Sequence, residues 1–212
     1  MRSNPGPGGT MLVELEGVGV NWMLRPSAEG VRLVQWGGTV PGQRSGFIMV
    51  PDRQFALTVL TNSEGGADLL AELFVDDWAL RRFAGVSNLP AKPRALSRAE
   101  LAPYEGRYTG QGIDFSGAVI ETNIELKDDN GRLRMTQRTG VESAVPGNPS
   151  NIAETEDTPE VFHLVFYRDD YVLVYDESGQ PNFSRANFLR DANGGVVWLR
   201  FHGRLYRRLG GS

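Results

Sequence analysis

Cysteine is absent from the 212 residues, which excludes disulfides, thiol nucleophiles and thiolate metal sites, and leaves the compartment open because a secreted protein can also do without it. Histidine occurs only at His163 and His202, and lysine only at Lys92 and Lys127. Two histidines cannot build a multi-histidine metal centre, so neither a metal nor a cofactor is expected. The acidic loop Glu154-Thr-Glu156-Asp157-Thr-Pro-Glu160 lacks the ligand spacing and the glycine of a calcium loop and reads as solvated. No apolar run is long enough for a membrane helix, and MRSNPGPGGTML has no apolar core of the kind a signal peptide needs. Acidic residues number 26 and basic residues 22. No basic stripe is visible, so nucleic acid is not an expected partner, nor is a membrane.

What is present is enough chain for one large domain or two modest ones with a real core. The stretch from Val31 to Ser63 reads as three strands. Val31 to Trp36 is ended by Gly37-Gly38, Ser45 to Val50 is closed by Pro51-Asp52, and Phe55 to Leu60 is ended by Asn62-Ser63. Paired glycines where a strand should continue mark a backbone that another strand or a ligand approaches closely. Residues 1–10 are too poor in apolar side chains to order themselves. Met11 to Glu16 is a strand or a short helical remnant. Gly17 to Leu24 reads as a strand with Trp22 facing a core, closed by Pro26 to Gly30 into a hairpin with the Val31 strand, which makes a four-stranded meander.

Ala67 to Phe83 places Leu70, Leu73, Phe74 and Trp78 at helical spacing. Its acids fall early, Arg81-Arg82 fall late and Gly85 stops it, as the helix dipole favours. Val86 to Arg98 carries two prolines and reads as a linker, after which Ser97-Arg-Ala-Glu100 has the spacing of a capping box. From Tyr104 onward the chain reads as short strands: Tyr104–Thr109, Ala118–Lys127, Arg132–Arg138, Val161–Tyr167, Tyr171–Tyr175, Phe183–Leu189, Val196–Phe201 and Arg204–Leu209. Turn chemistry at Asp129-Asn130-Gly131, Arg168-Asp169-Asp170, Asp176 to Gln180, Asn193-Gly194-Gly195 and His202-Gly203 joins them into an antiparallel barrel or sandwich. Phe166, Tyr167, Tyr171, Tyr175, Phe188, Trp198 and Phe201 are expected to be chiefly core, with a few lining a cavity. Arg204, Arg207 and Arg208 read as charges that protect a sheet edge, and His163 and His202 as packed or surface residues.

The order Gly37-Gly38, Pro41-Gly42, Ser45, apolar strand, Pro51-Asp52 and a strand ending in Thr61-Asn62-Ser63 resembles the later part of the serine β-lactamase and penicillin-binding-protein superfamily. Its class C-like esterases and D-aminopeptidases are the nearest branch. Gly17-Val-Gly-Val-Asn-Trp22 resembles the family's preceding strand, and the segment after Asn62 its C-terminal helix, so the likeness runs to Gly85. Leu101-Ala-Pro-Tyr-Glu-Gly-Arg-Tyr-Thr-Gly110 resembles the opening of the lipocalin-like domain that often follows in that branch.

The resemblance implies an α+β chain: a disordered arm at 1–10, the C-terminal portion of a β-lactamase-like domain at 11–85, a partial antiparallel sheet with its C-terminal helix, a linker at 86–99, and an all-β lipocalin-like barrel at 100–212. The family's active-site triplet, Lys-Thr-Gly or His-x-Gly, is here Trp36-Gly37-Gly38. A Trp supplies neither the cation nor the imidazole of that position. Thr39, just after the triplet, matches the residue whose backbone N–H completes an oxyanion hole, so Trp36, Gly37, Gly38 and Thr39 form a latent oxyanion and substrate strand.

The superfamily's nucleophile sits in Ser-x-x-Lys, where a lysine one helical turn on takes the serine proton. No serine here has a lysine three residues later, and Tyr-x-Asn and Ser-x-Asn are also missing. Ser45, in Gly42-Gln-Arg-Ser45-Gly, is not a nucleophile elbow and reads as a strand hydroxyl. The expected function is therefore that of the C-terminal portion of a bacterial serine hydrolase, inactive alone. Its partners would be a missing N-terminal catalytic half or a second copy, and a small amide, ester or peptide ligand, in a family often periplasmic or secreted. The alternative is a non-catalytic lipocalin-like module that binds an apolar ligand or a partner surface in or on its barrel.

Overall fold

The computed structural model describes residues 17–20, 22–113, 119–141, 159–201 and 204–210. The segment Met11 to Glu16, the acidic residues Glu154 to Asp157 and His202 lie outside them. Two compact units divide the chain, one containing residues 17–92 and the other residues 93–182 and 186–210. Among the described residues β structure predominates, as a five-stranded sheet and a closed eight-stranded barrel.

In the first unit β1 (Gly17–Gly19), β2 (Trp22–Pro26), β3 (Arg32–Val40), β4 (Gln43–Val50) and β5 (Phe55–Thr61) follow one another across the sheet in chain order. All neighbouring pairs are antiparallel. The single strand expected from Gly17 to Leu24 is thus a hairpin, with Gly19 opposite Trp22. The fold of the chain at Val20 breaks the alternation, so Trp22 is 42 % exposed and its neighbour Met23 takes the core position. Gly37-Gly38 does not end β3 either. The strand runs through both glycines to Val40, opposite Gln43, and the turn is Pro41-Gly42 with Gly42 at φ +76°. The proline presets the turn and the glycine takes the left-handed residue that other side chains resist.

The helical segment is interrupted. α1 (Gly66–Leu70) passes into a π-helical turn, Ala71–Val75, and stops at Asp76 and Asp77, the latter at φ +55°. A second π-helical turn, Leu80–Ala84, ends at Gly85 in the left-handed conformation, φ +65°. The break carries Trp78 out of the expected stripe, to 41 % exposure, while Leu70, Phe74 and Leu80 pack with Leu33, Ile48 and Val50. Gly46 of β4 lets the helix lie flat: a Cβ there would come within 2.6 Å of Leu70 Cδ2.

The first helix of the second unit is α2 (Arg98–Leu101), whose capping box forms as expected. Ser97 accepts from the Glu100 N–H, and the Glu100 carboxylate accepts from the Ser97 N–H at 2.8 Å. A 3-10 turn, Ala102–Tyr104, leads into β6 (Gly106–Ile113), β7 (Val119–Asp129), β8 (Arg132–Val141), β9 (Glu160–Arg168), β10 (Tyr171–Asp176), β11 (Pro181–Arg190), β12 (Val196–Phe201) and β13 (Arg204–Leu209). These run up and down in chain order, and β13 closes on β6. Asn130 and Gly131 both have positive φ, 55° and 88°, the two-residue turn that twists with its strands.

Closure corrects two expectations. β13 is paired on both sides, so Arg204, Arg207 and Arg208 guard no edge. Arg208 instead donates to the Glu105 carbonyl at 2.6 Å. Of the aromatics, Phe166, Phe188 and Phe201 are core, whereas Tyr167, Tyr171, Tyr175 and Trp198 are half-buried, because they take the alternate positions that point outward from the barrel. Inside, Tyr104 lies 4.7 Å from both Phe166 and Phe188, centroid to centroid, and Leu101 is fully buried beside them. These side chains belong to the buried core of the second unit.

Candidate functional site

The strand β3 is where the sequence places Trp36, Gly37, Gly38 and Thr39, and the fold gives that stretch one unusual property. β2 pairs with β3 from Pro26 opposite Arg32 to Met23 opposite Gln35. Beyond Gln35, β3 continues opposite β4 alone, from Trp36 across from Phe47 to Val40 across from Gln43. One side of Trp36 to Val40 is thus an open strand edge among the described residues.

Two side-chain contacts fix the direction of the backbone there. The Ser45 hydroxyl points to the Gly38 carbonyl at 3.5 Å, so Gly38 faces β4. The Thr61 hydroxyl donates to the Arg44 carbonyl at 3.2 Å, so Arg44, opposite Thr39, faces β5. In an antiparallel ladder, alternate residues turn their N–H and C=O to opposite sides. Gly37 and Thr39 accordingly direct theirs away from β4, to the open side.

On one face of the sheet aromatic side chains lie near this edge. Gly46 lies under the helix, so Ser45 and Phe47, and Gly38 and Trp36 opposite them, belong to the other face of the sheet. On that face the Trp22 and Phe47 rings are 5.3 Å apart, and Trp36 is partly buried. A Cβ on Gly38 would meet the Ser45 hydroxyl at 2.9 Å, so the glycine leaves room for it.

The tip of the hairpin is held from the side. Glu64 accepts from the Gly42 N–H at 2.6 Å and pairs with Arg44, whose Nη1 donates to the Val40 and Gln43 carbonyls at 2.9 and 3.0 Å. This clamp begins one residue after Thr39. Sequence reading missed it, since it depends on a 20-residue separation that only the meander brings together.

It also missed a buried polar network on the helix side of the sheet. Arg25 is 1 % exposed and donates to Gln35 Oε1 at 3.0 Å, to the Phe74 carbonyl at 2.8 Å and to Asn88 Oδ1. The Asn88 N–H donates to the Asp77 carboxylate at 2.7 Å. Burial pushes the Arg25 guanidinium down to about 9, with the Asp77 charge opposing. An Arg in register with Met23, on the face where the strand should be apolar, was the available signal.

The remaining candidates lie elsewhere. Lys127 is on β7, paired with Glu125 at 2.9 Å, and Lys92 is in the segment after the first unit's last helical turn. His163 is on β9, 7 % exposed, with Nδ1 at 3.4 Å from Asp129. Burial, followed by the charge of Arg132, pushes it below its ordinary value, and Asp129 opposes. Among the described residues no group of three His, Asp or Glu side chains is placed to hold a metal ion. No helix among them is long and apolar enough to cross a membrane.

Taken together, these units define a meander sheet with a partly open inner strand, backed by a broken helix, and an up-and-down barrel. No family model matches the sequence, and no curated protein matches it. Among solved structures, two of SurE are similar. One, determined with D-Leu, has TM-score 0.50 and 23 % identity over 93 % of this chain. The other has TM-score 0.52 and 22 % identity over 94 %. This chain spans 40 % and 39 % of their lengths. The octameric penicillin-binding protein homologue from Pyrococcus abyssi is matched at 18 % identity and TM-score 0.29, over 94 % of this chain and 40 % of that one. At these identities the likeness to SurE is one of fold.

Proposed function

We propose that the chain is the C-terminal portion of a β-lactamase-related serine hydrolase, which needs a catalytic half to act. Residues 11–85 are the latter part of the α/β domain, 86–99 a linker and 100–212 a lipocalin-like barrel. The reaction of the assembled enzyme is acyl transfer from an amide, ester or small peptide through an acyl-serine intermediate, with the serine and its base supplied from outside these residues. The observation that carries the reading is the open side of β3, to which Gly37 and Thr39 turn their backbone groups. An extended peptide pairs with such an edge through main-chain hydrogen bonds.

In this reading Gly37 holds the substrate backbone. The Thr39 N–H is one of two donors to the oxyanion, the other being the N–H of the nucleophile. Trp36 stands where the family has a cation or imidazole, so it contributes an apolar wall and no proton transfer. The alternative is a non-catalytic lipocalin-like module that binds a ligand or a partner surface.

The test is labelling with a fluorophosphonate or a fluorescent penicillin, on the chain alone and mixed with the N-terminal half of a related hydrolase. Labelling only in the mixture is expected, and a peptide ending in D-Leu is the competitor to try first. Labelling of the isolated chain would place a nucleophile within it and overturn the proposal. No labelling in either case would favour a binding module.

A further inference from the structure

The two Asn-Gly pairs of the second unit, Asn130-Gly131 and Asn193-Gly194, are identical as dipeptides, yet the fold holds them differently. Asparagine is among the heat-labile residues. When glycine follows it, no side chain shields the next backbone nitrogen, which can swing onto the side-chain carbonyl carbon of the asparagine and expel the amide nitrogen. Whether this happens in a folded chain depends on how freely the side-chain amide and that backbone nitrogen move.

Asn130-Gly131 joins β7 to β8 and is tied down at three atoms. Asn130 Nδ2 donates to Asp129 Oδ1 at 3.0 Å, the Gly131 N–H donates to Asp128 Oδ1 at 3.4 Å, and the Gly131 carbonyl accepts from the Leu96 N–H at 3.4 Å. The Asp128 carboxylate also opposes the negative charge that the Gly131 nitrogen must gain before it attacks.

Asn193-Gly194 joins β11 to β12. Here the backbone closes the turn: the Asp191 N–H donates to the Gly195 carbonyl at 2.9 Å, and the Gly194 N–H donates to the Asp191 carbonyl at 3.1 Å. Asp191 Oδ1 accepts from the Asn193 and Gly195 N–H groups at 2.9 and 2.8 Å. The Asn193 side chain, by contrast, is exposed, and its amide makes no hydrogen bond among the described residues. A Cβ on Gly194 would meet nothing within 4 Å, so a ring can close there without displacing a neighbour. Arg190 Nη1 donates to the Gly194 carbonyl at 2.7 Å, which sets a positive charge near the attacking nitrogen. The Gly194–Asp191 hydrogen bond must open first, and hairpin tips open locally at low cost.

We propose that Asn193 is a site of spontaneous deamidation and isomerisation, independent of the proposed activity. The Gly194 nitrogen loses its proton to solvent and bonds to Asn193 Cγ. The Cγ–Nδ2 bond breaks, the amide nitrogen takes a proton from water and leaves as ammonia, and a succinimide ring remains. Water then adds to either ring carbonyl. Opening at Cγ gives aspartate, and opening at the backbone carbonyl gives isoaspartate, whose main chain runs through the side-chain carbons. Water is the co-reactant, and nothing is oxidised or reduced. The isoaspartyl link lengthens the main chain just ahead of Gly194 and draws the Gly194 carbonyl away from Arg190, which also holds Asp170 and Tyr104.

Trypsin reports the two pairs separately, because Asn193 falls in the peptide Asp191–Arg200 and Asn130 in Asp128–Arg132. The full chain is kept warm at mildly alkaline pH and sampled over time. Mass spectrometry then reads amide turned to acid, and chromatography separates aspartate from isoaspartate. In the folded chain the Asn193 peptide is expected to convert several-fold faster than the Asn130 peptide, with isoaspartate the major product. In guanidinium, where the fold no longer distinguishes them, both should convert faster and at similar rates. The aged chain is expected to lose hydrogen-exchange protection at the Asp191 and Gly195 amides, whereas Asn193→Asp, which adds the charge without lengthening the main chain, keeps it. Equal conversion of the two peptides in the folded chain, or faster conversion of Asn130, would overturn the proposal. So would an Asn193 peptide that stays intact in the folded chain while the guanidinium sample converts fully.

Discussion

Gly46 lies directly beneath Phe74, so close that a Cβ on the glycine would penetrate the ring and come within 2.6 Å of Leu70 Cδ2. The helix can settle on the sheet only because β4 has no side chain at that point. Gly46→Ala should push α1 and its π-helical continuation outward and destabilise the first unit by about 1 to 3 kcal/mol, the usual cost of overpacking. Urea unfolding followed by far-UV circular dichroism measures this. A neutral substitution would mean that the helix sits more loosely than the contacts imply.

Arg25 joins β2, β3, the end of the π-helical turn and Asn88 through three acceptors. Arg25→Ala leaves the Gln35, Phe74 and Asn88 oxygens without their donor in a buried site and is expected to cost about 3 to 5 kcal/mol. Arg25→Lys should recover only part of the loss, since a point charge cannot span the same fork of acceptors. Chemical denaturation of both variants gives the comparison.

In the barrel, the Tyr104 hydroxyl donates to Asp170 at 2.9 Å and accepts from Arg190 Nη2 at 2.9 Å. Tyr104→Phe should lower stability by about 1 to 2 kcal/mol and leave the strands in place. Tyr108, buried beneath it, donates to the Tyr104 carbonyl at 2.8 Å, and burial pushes its phenol up to about 12. A phenol held above its unfolded value of 10 binds its proton more tightly when folded. Stability is therefore full below pH 10 and falls as pH rises towards 12, by about 2 to 3 kcal/mol from this group. Tyr108→Phe should flatten that alkaline arm.

His163 gives the acid side. Its folded value lies below the unfolded 6.5, chiefly because of burial, so the unfolded chain takes up the proton first as pH falls. The stability present above pH 6.5 is then lost as pH falls through the lower folded value. Thermal unfolding between pH 7 and 4 (roughly the range over which a histidine and its neighbours titrate) should show a smaller decline in His163→Gln than in the parent chain.

For the proposed oxyanion donor, Thr39→Pro removes one N–H from the open side of β3 and spares the β4 ladder, whereas Thr39→Ala keeps it. In a reconstituted enzyme the proline variant should label about 100-fold more slowly or worse, and the alanine variant close to normally. Equal rates for the two would remove Thr39 from the site.

The barrel was legible because its turns name themselves: Asn130-Gly131 and Asp169-Asp170 have the residues that accept positive φ, and they delimit the strands between them. The first unit was harder. A glycine pair looks like a stop, but β3 uses Gly37 and Gly38 in mid-strand, and what ends the strand is Pro41-Gly42. Helical periodicity ran smoothly across Asp76-Asp77, where the helix breaks and the Asn88 N–H reaches the Asp77 carboxylate from outside it. The site strand could be located by its motif. Its open side could not, since that depends on how far β2 runs beside β3.

All the strand pairings of the barrel join neighbours in sequence, except for the closure of β13 on β6, where Arg207 meets Thr109. Most hairpins can form locally and quickly, while this last seam must bring together segments roughly a hundred residues apart and carries the largest single loop-closure cost. The rate at which the barrel folds is therefore governed at one seam. Substitutions along it should slow refolding, whereas those in the hairpin turns should mainly hasten unfolding.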